Sequence, residues 1–198
     1  MLLDRALRTT FRNFSTLFLL VAIVSVTAHL LYGIVFRDVL AVTELHPYIA
    51  ELKFGRQVND VAARDLRSAE MGRWVLFGVQ ALFLPLLVPA ARRILVRDEH
   101  DEVPTVPDAI LHPREPRGRL GFAWRGGELL TVVVGLLLAA TVWYLTQRIG
   151  LLAAEPLPDR LNFLAFELVR GVAVALAAPF LLGSLVTAAL SAGERRRT

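Results

Sequence analysis

Four long apolar blocks, each nearly free of charge, limit this chain more than any motif in it. The first, residues 14–36, holds 23 residues without a formal charge. As a helix rising about 1.5 Å per residue it reaches roughly 34 Å, enough to cross a hydrocarbon core of about 30 Å. Three further blocks follow at residues 74–91, 129–152 and 164–192. Lipid offers no partner to a bare peptide group, so a single-chain span of this length must be a helix with its backbone bonds satisfied internally. The expected fold is therefore all-α: an integral membrane bundle of four transmembrane helices, with residues 1–198 forming a single membrane domain.

Composition agrees and removes several alternatives. Of the residues, 55% are hydrophobic and only 20% charged, too little charge for the water-facing surface of a soluble domain. Cysteine is absent, which excludes disulfides, thiolate metal sites and thiol nucleophiles. Lys53 is the only lysine, an arginine bias that suggests a bacterial source with a GC-rich genome. The formal net charge of +4 does not point to nucleic acid, because the arginines flank the apolar blocks, where membrane orientation explains them.

That orientation follows from the flanking counts. The N-terminal tail carries three basic residues (Arg5, Arg8, Arg12), the loop 92–128 carries seven and the C-terminal tail three. The loop 37–73 carries six basic residues offset by six acids. Cytoplasmic loops are enriched in Arg and Lys, so both termini and the loop 92–128 are expected in the cytoplasm, with the chain multi-pass in the plasma (inner) membrane. The first block is too long for a cleaved signal peptide and reads as a signal anchor.

The loop 37–73 is too long for a simple connection. Within it Val58, Val61, Ala62, Leu66 and Ala69 recur at helical spacing, predicting a short amphipathic helix on the outer surface or over the spans. Pro85 and Pro89 predict a kink in the second span. Prolines at 104, 107, 113 and 116 favour extended or turn structure in the cytoplasmic loop. Leu120, Phe122 and Trp124 suggest re-entry along the interface, with Trp124 suited to an aromatic belt. The two halves, each ending in a proline-bearing span, fit either a duplication or the chance similarity of leucine-rich helices.

The opening LLDRALRTTFRNFSTLFLL and the mid-chain DEVPTVPDAILHP and LGFAWRGGELLTVV resemble the approach segments of the glycerophosphoryl diester phosphodiesterase membrane-domain family and related bacterial polytopic membrane proteins. The resemblance implies a helical membrane module, fused in some members to a catalytic phosphodiesterase domain. Four spans in 198 residues leave no segment long enough for such a domain.

The candidate site comes from depth along the spans. His29, Gln80, Tyr144, Gln147, Arg148, Glu167 and Arg170 all fall in the outer third of the membrane in the N-in arrangement. Ionisable groups inside spans face the interior or water and often mark function, so one reading is a polar cavity that binds a small ligand or relays a proton through His29 and Glu167. The other is interhelical glue, worth about 0.6 kcal/mol per contact. Glu167 and Arg170, at i and i+3, can pair on one face. His100, amid Asp98, Glu99, Asp101 and Glu102, is a solvated charge run, since consecutive loop residues cannot all ligate one ion. His46 and His112 each adjoin a proline and carry no constellation.

Small residues at Gly171, Ala175, Ala178 and Gly183, and at Gly135 and Ala139, allow close helix approach, either to another membrane protein or inside the bundle. No nucleophile elbow, zincin or phosphate-loop pattern occurs. The expected function is non-enzymatic, without cofactor or metal: an accessory or scaffolding subunit embedded in the lipid bilayer, with another membrane protein or a second copy as partner. The alternative is a small oligomeric transporter or channel using the outer polar cluster.

Overall fold

The computed structural model describes residues 2–36, 59–98, 105–111, 121, 124–154 and 159–195. His46, Lys53, Val58, His100, His112, Leu120 and Phe122, named above, lie outside them. Six helices carry the described chain: α1 (Leu2–Arg12), α2 (Phe14–Val35), α3 (Asn59–Asp98), α4 (Val106–Leu111), α5 (Gly126–Ala154) and α6 (Asp159–Glu194). Phe14–Val35, Gly126–Gly150 and Leu164–Glu194 are each long and apolar enough to cross a membrane. The pair Met71–Phe83 and Leu86–Arg97, bent by 41° at the break between them, makes the fourth span when counted as one. The protein is an all-helical, multi-pass membrane bundle.

α1 and α2 share one buried face across a one-residue break at Asn13. Ala6, Thr10, Asn13, Leu17, Val21, Ser25, His29 and Tyr32 are all buried, at steps of three or four that keep them on one side of a helix. At the break the Asn13 amide donates to the Thr9 carbonyl at 3.0 Å. Asp4 and Arg8 pair on the opposite, exposed side of α1 at 3.3 Å.

The helix expected around residues 58–69 is not a separate element. It runs into the second span without interruption, as the 40-residue α3. Residues 59–70 are polar enough to stand in water and 71–97 apolar enough to enter lipid, so the change in composition marks a membrane surface, not a helix end. The bend falls at Leu84–Pro85, where proline removes a backbone donor and forces a kink. Beyond it Leu87, Ala90, Ala91, Ile94 and Leu95 are buried against Leu17, Leu20 and Val21 of α2 and Leu182 and Val186 of α6.

Pro107 also acts differently from the extended segment it suggested, while Pro104, Pro113 and Pro116 lie outside the described residues. Val106–Leu111 is helical, with Pro107 in its first turn, where a missing N–H leaves no bond unmade. Ala109 is buried in the same core, and Arg93 Nη1 donates to its carbonyl at 2.5 Å.

α6 is the central element, packing on α5, α2 and α1. The small residues nominated for close approach work inside the chain. A Cβ at Gly171 would lie 2.8 Å from Val26 Cα, one at Gly183 1.9 Å from Thr10 Oγ1, and one at Gly135 2.1 Å from Ser184 Oγ. Ala175 and Ala139 are buried in these interfaces, and Ala178 packs against the core from its edge. α1, the start of α5 and the end of α6 meet at one end of the bundle, where the Gly121 N–H donates to the Ala189 carbonyl at 2.8 Å.

Candidate functional site

The face of α2 that carries Ser25, His29 and Gly33 meets the face of α6 that carries Glu167 and Gly171. Both glycines matter to the approach: a Cβ on Gly33 would touch Glu167 Cβ at 3.3 Å, and one on Gly171 would meet the α2 backbone. With the helices this close, Ser25 Oγ donates to the Gly171 carbonyl at 3.0 Å. One turn further along, His29 Nδ1 donates to Glu167 Oε2 at 2.8 Å. Arg170 Nη1 donates to the other carboxylate oxygen, so the carboxylate is gripped from both sides. Glu167 is only 2% exposed and Arg170 reaches outward from the same turn.

Above this cluster, toward the end opposite α1, Arg73 Nε of α3 donates to the Tyr32 hydroxyl at 3.2 Å. Tyr32 packs with Phe36, Leu76 and Leu164. The site therefore ties α2 to α6 through the His29–Glu167 hydrogen bond and α2 to α3 through a phenol. An ionised carboxylate taken out of water is costly unless paired and hydrogen-bonded; His29 and Arg170 meet that requirement. Among the described residues no group of three His, Asp or Glu side chains lies close enough to hold a metal ion.

The seven residues chosen by depth divide into three places. His29, Glu167 and Arg170 come together. Tyr144 and Arg148 pair with each other on an exposed face of α5, with Arg148 Nε donating to the Tyr144 hydroxyl at 3.2 Å and the guanidinium 5.3 Å from the ring centroid. Gln147 sits half-buried on the same helix, and Gln80 lines a separate apolar cavity beside α3. The reason is rotational. α5 turns Gly135 and Ala139 toward α6, and Tyr144 and Arg148 then lie about 140° and 180° around the helix from Ala139, at about 100° per residue. Depth puts all seven at a similar height; the small residues decide which of them face inward.

Depth also passed over three partners. Ser25 and Tyr32 share the His29 face at i−4 and i+3, a signal present in the sequence. Glu128 is the third, at the other end of the bundle. Buried in the first turn of α5, it accepts from the Arg125 N–H at 2.7 Å, a reach back typical of a helix N-terminus. Its other oxygen accepts from Ser191 Oγ at 3.2 Å and pairs with Arg195, fastening α5 to the end of α6. No protein-family model matches the chain, and no curated protein or solved structure is significantly similar to it.

Proposed function

We propose that this integral membrane protein is a non-enzymatic accessory or scaffolding subunit of a membrane assembly. The observation that carries this reading is that Glu167 is held by His29 across the α2–α6 interface and by Arg170 of its own helix, while the cavity between α2, α3, α5 and α6 is lined almost wholly by apolar side chains. A transporter needs polar groups facing a continuous passage. Here the cluster acts as a clamp that fixes two helices.

The flank suited to a partner is the first half of the bent span. Met71, Trp74, Val75 and Leu82 are all exposed, and Gly78 has open space beside it, which would let a neighbouring helix come close. The arginines at the end shared by α1, the start of α5 and the end of α6 support a cytoplasmic, positive-inside placement of both termini in a bacterial plasma membrane.

Purification of the tagged protein from its host in mild detergent tests the assembly. A stoichiometric membrane partner, lost from Trp74→Ala and Leu82→Ala variants, is the expected result. Recovery of the protein alone, or only with itself, would overturn the proposal in favour of the transporter reading. Orientation has its own test, because the chain has no cysteine: single cysteines at Ser68 and Thr105 should label from opposite sides of the membrane.

A further inference from the structure

Between its two attachment points α3 stands away from the bundle. Gly72, Arg73 and Leu76 contact the end of α2, and residues from Leu87 onward enter the core, but no residue from Met71 to Phe83 is buried. Among the described residues no Cα of α3 comes within 8 Å of a Cα of α5. The space behind the bowed stretch is a cavity of about 350 Å³ with walls from α2, α3, α5 and α6. Ala81, Ala139 and Ala177 keep it wide, and Trp143 lines its α5 side.

Its size decides what can occupy it. A helix about 10 Å across needs roughly 2,400 Å³ to traverse a 30 Å core, several times the space here. Ligand sites of about 300–1,000 Å³ are the usual range for small molecules. No charged side chain lines the cavity, so a charged headgroup would be desolvated without a partner. The polar lining groups are few. Ser25 Oγ already donates to Gly171, whereas the buried Gln80 amide nitrogen has no hydrogen-bond partner among the described residues. Gln80 lies nine residues beyond Met71, roughly 13 Å along the helix, which is far below the level where phospholipid esters sit.

We propose that this cavity is a lateral binding site for a neutral long-chain lipid, whose single uncharged oxygen, a hydroxyl or carbonyl, accepts a hydrogen bond from the Gln80 amide once that side chain turns its buried nitrogen toward the cavity. The chain enters from the bilayer through the gap between α3 and α5 and lies against the alanine walls. This inference stands on the cavity and on Gln80, independently of the assembly reading above.

Trp143 supplies the probe. In the full-length protein carrying Trp74→Phe and Trp124→Phe it is the only tryptophan left, and in vesicles its fluorescence reports heavy-atom quenchers inside the cavity. Dibrominated octadecanol, added at low mole fraction to phosphatidylcholine vesicles, should quench Trp143 along a saturating curve. Unbrominated octadecanol should compete it away. Gln80→Leu should raise the half-saturation point about tenfold, the effect of one hydrogen bond in a dry site. Dibrominated phosphatidylcholine should quench only in proportion to its mole fraction. Proportional quenching by the alcohol, or no competition in the unmodified cavity, would overturn the proposal whether or not the Gln80 variant folds. Saturable quenching unchanged by a well-folded Gln80→Leu, judged by circular dichroism, would overturn the assignment to Gln80.

Discussion

α5 and α6 are equally apolar by mean hydropathy, yet 67% of the most apolar stretch of α6 is buried and only 17% of that of α5. Hydropathy reports that a helix prefers lipid to water, and both do. It does not report which helix the others gather around, because inside a bilayer the lipid tails are as apolar as leucine. The difference lies in side-chain size. α6 offers Gly171, Ala173, Ala175, Ala177, Gly183, Ser184, Ala188 and Ala192, all buried, and backbones can come close along it. α5 offers Leu129, Leu130, Val133, Leu136, Leu137, Leu145 and Ile149, all substantially exposed. α6 also carries Glu167, whose partners include His29 of another helix, whereas the polar pair on α5, Tyr144 with Arg148, stays on its own surface.

The sharpest way to break this contrast is to remove the α6 carboxylate. Glu167→Ala leaves the His29 and Arg170 side chains facing an apolar methyl in a tight interface. Breaking a buried ion pair by deleting one partner costs about 3 kcal/mol or more. Reversible unfolding in mixed micelles should show that loss for Glu167→Ala, while Arg148→Ala on α5 should fall within about 0.5 kcal/mol of the parent, as exposed sites do. Equal losses from the two variants would mean that the clamp contributes nothing to holding α2 on α6.

Leucine truncation makes the same comparison without charge. Leu182 of α6 is 1% exposed and Leu137 of α5 is 61% exposed. Leu182→Ala should cost about 2 kcal/mol, the low end of the range for core leucines, because in a bilayer the cavity and lost contacts remain but the transfer from water does not. Leu137→Ala exchanges one lipid contact for another and should leave unfolding in the same micelles close to unchanged.

Glycines test the approach distances themselves. Gly171→Ala places a methyl 2.8 Å from the α2 backbone, an atom that cannot swing aside, and should cost about 1–3 kcal/mol as overpacking does. Gly78→Ala in α3 meets nothing within 4 Å and should be neutral or slightly stabilising, since alanine is the better helix former. Thermal inactivation of folding, followed by circular dichroism in detergent, separates the two.

The sequence carried the spans because charge-free stretches of membrane length leave little else to form. It also carried His29, Glu167 and Arg170, since ionisable side chains inside such stretches are conspicuous. Azimuth was less legible. Position along a span fixes height, so Tyr144 and Arg148 looked level with Glu167, and only the packing of Gly135 and Ala139 against α6 turns them outward. The continuity of α3 was hidden because an amphipathic stretch and an apolar block read as two elements when one helix passes through a membrane surface. The Glu128–Arg195 pair was hidden differently: Arg195 counted only as a flanking charge that sets orientation and Glu128 only closed the loop, so neither gave a sign that a loop acid and a tail base would meet.

That pair supplies the smallest effect and a further test of how α5 is held. With so few large side chains buried on α5, its start is fixed by Glu128, which at once accepts from the Arg125 N–H, bonds Ser191 and pairs with Arg195. Glu128→Gln keeps the size and one acceptor oxygen but removes the charge, so the reach back to Arg125 survives and the attraction to Arg195 does not. The expected loss is about 1 kcal/mol, in the range of a helix-start interaction. Hydrogen exchange should locate it in the first turn of α5 and the last turn of α6 together. Faster exchange confined to α5 would make Glu128 a local cap only, and α5 would then rest on α6 through its small residues alone.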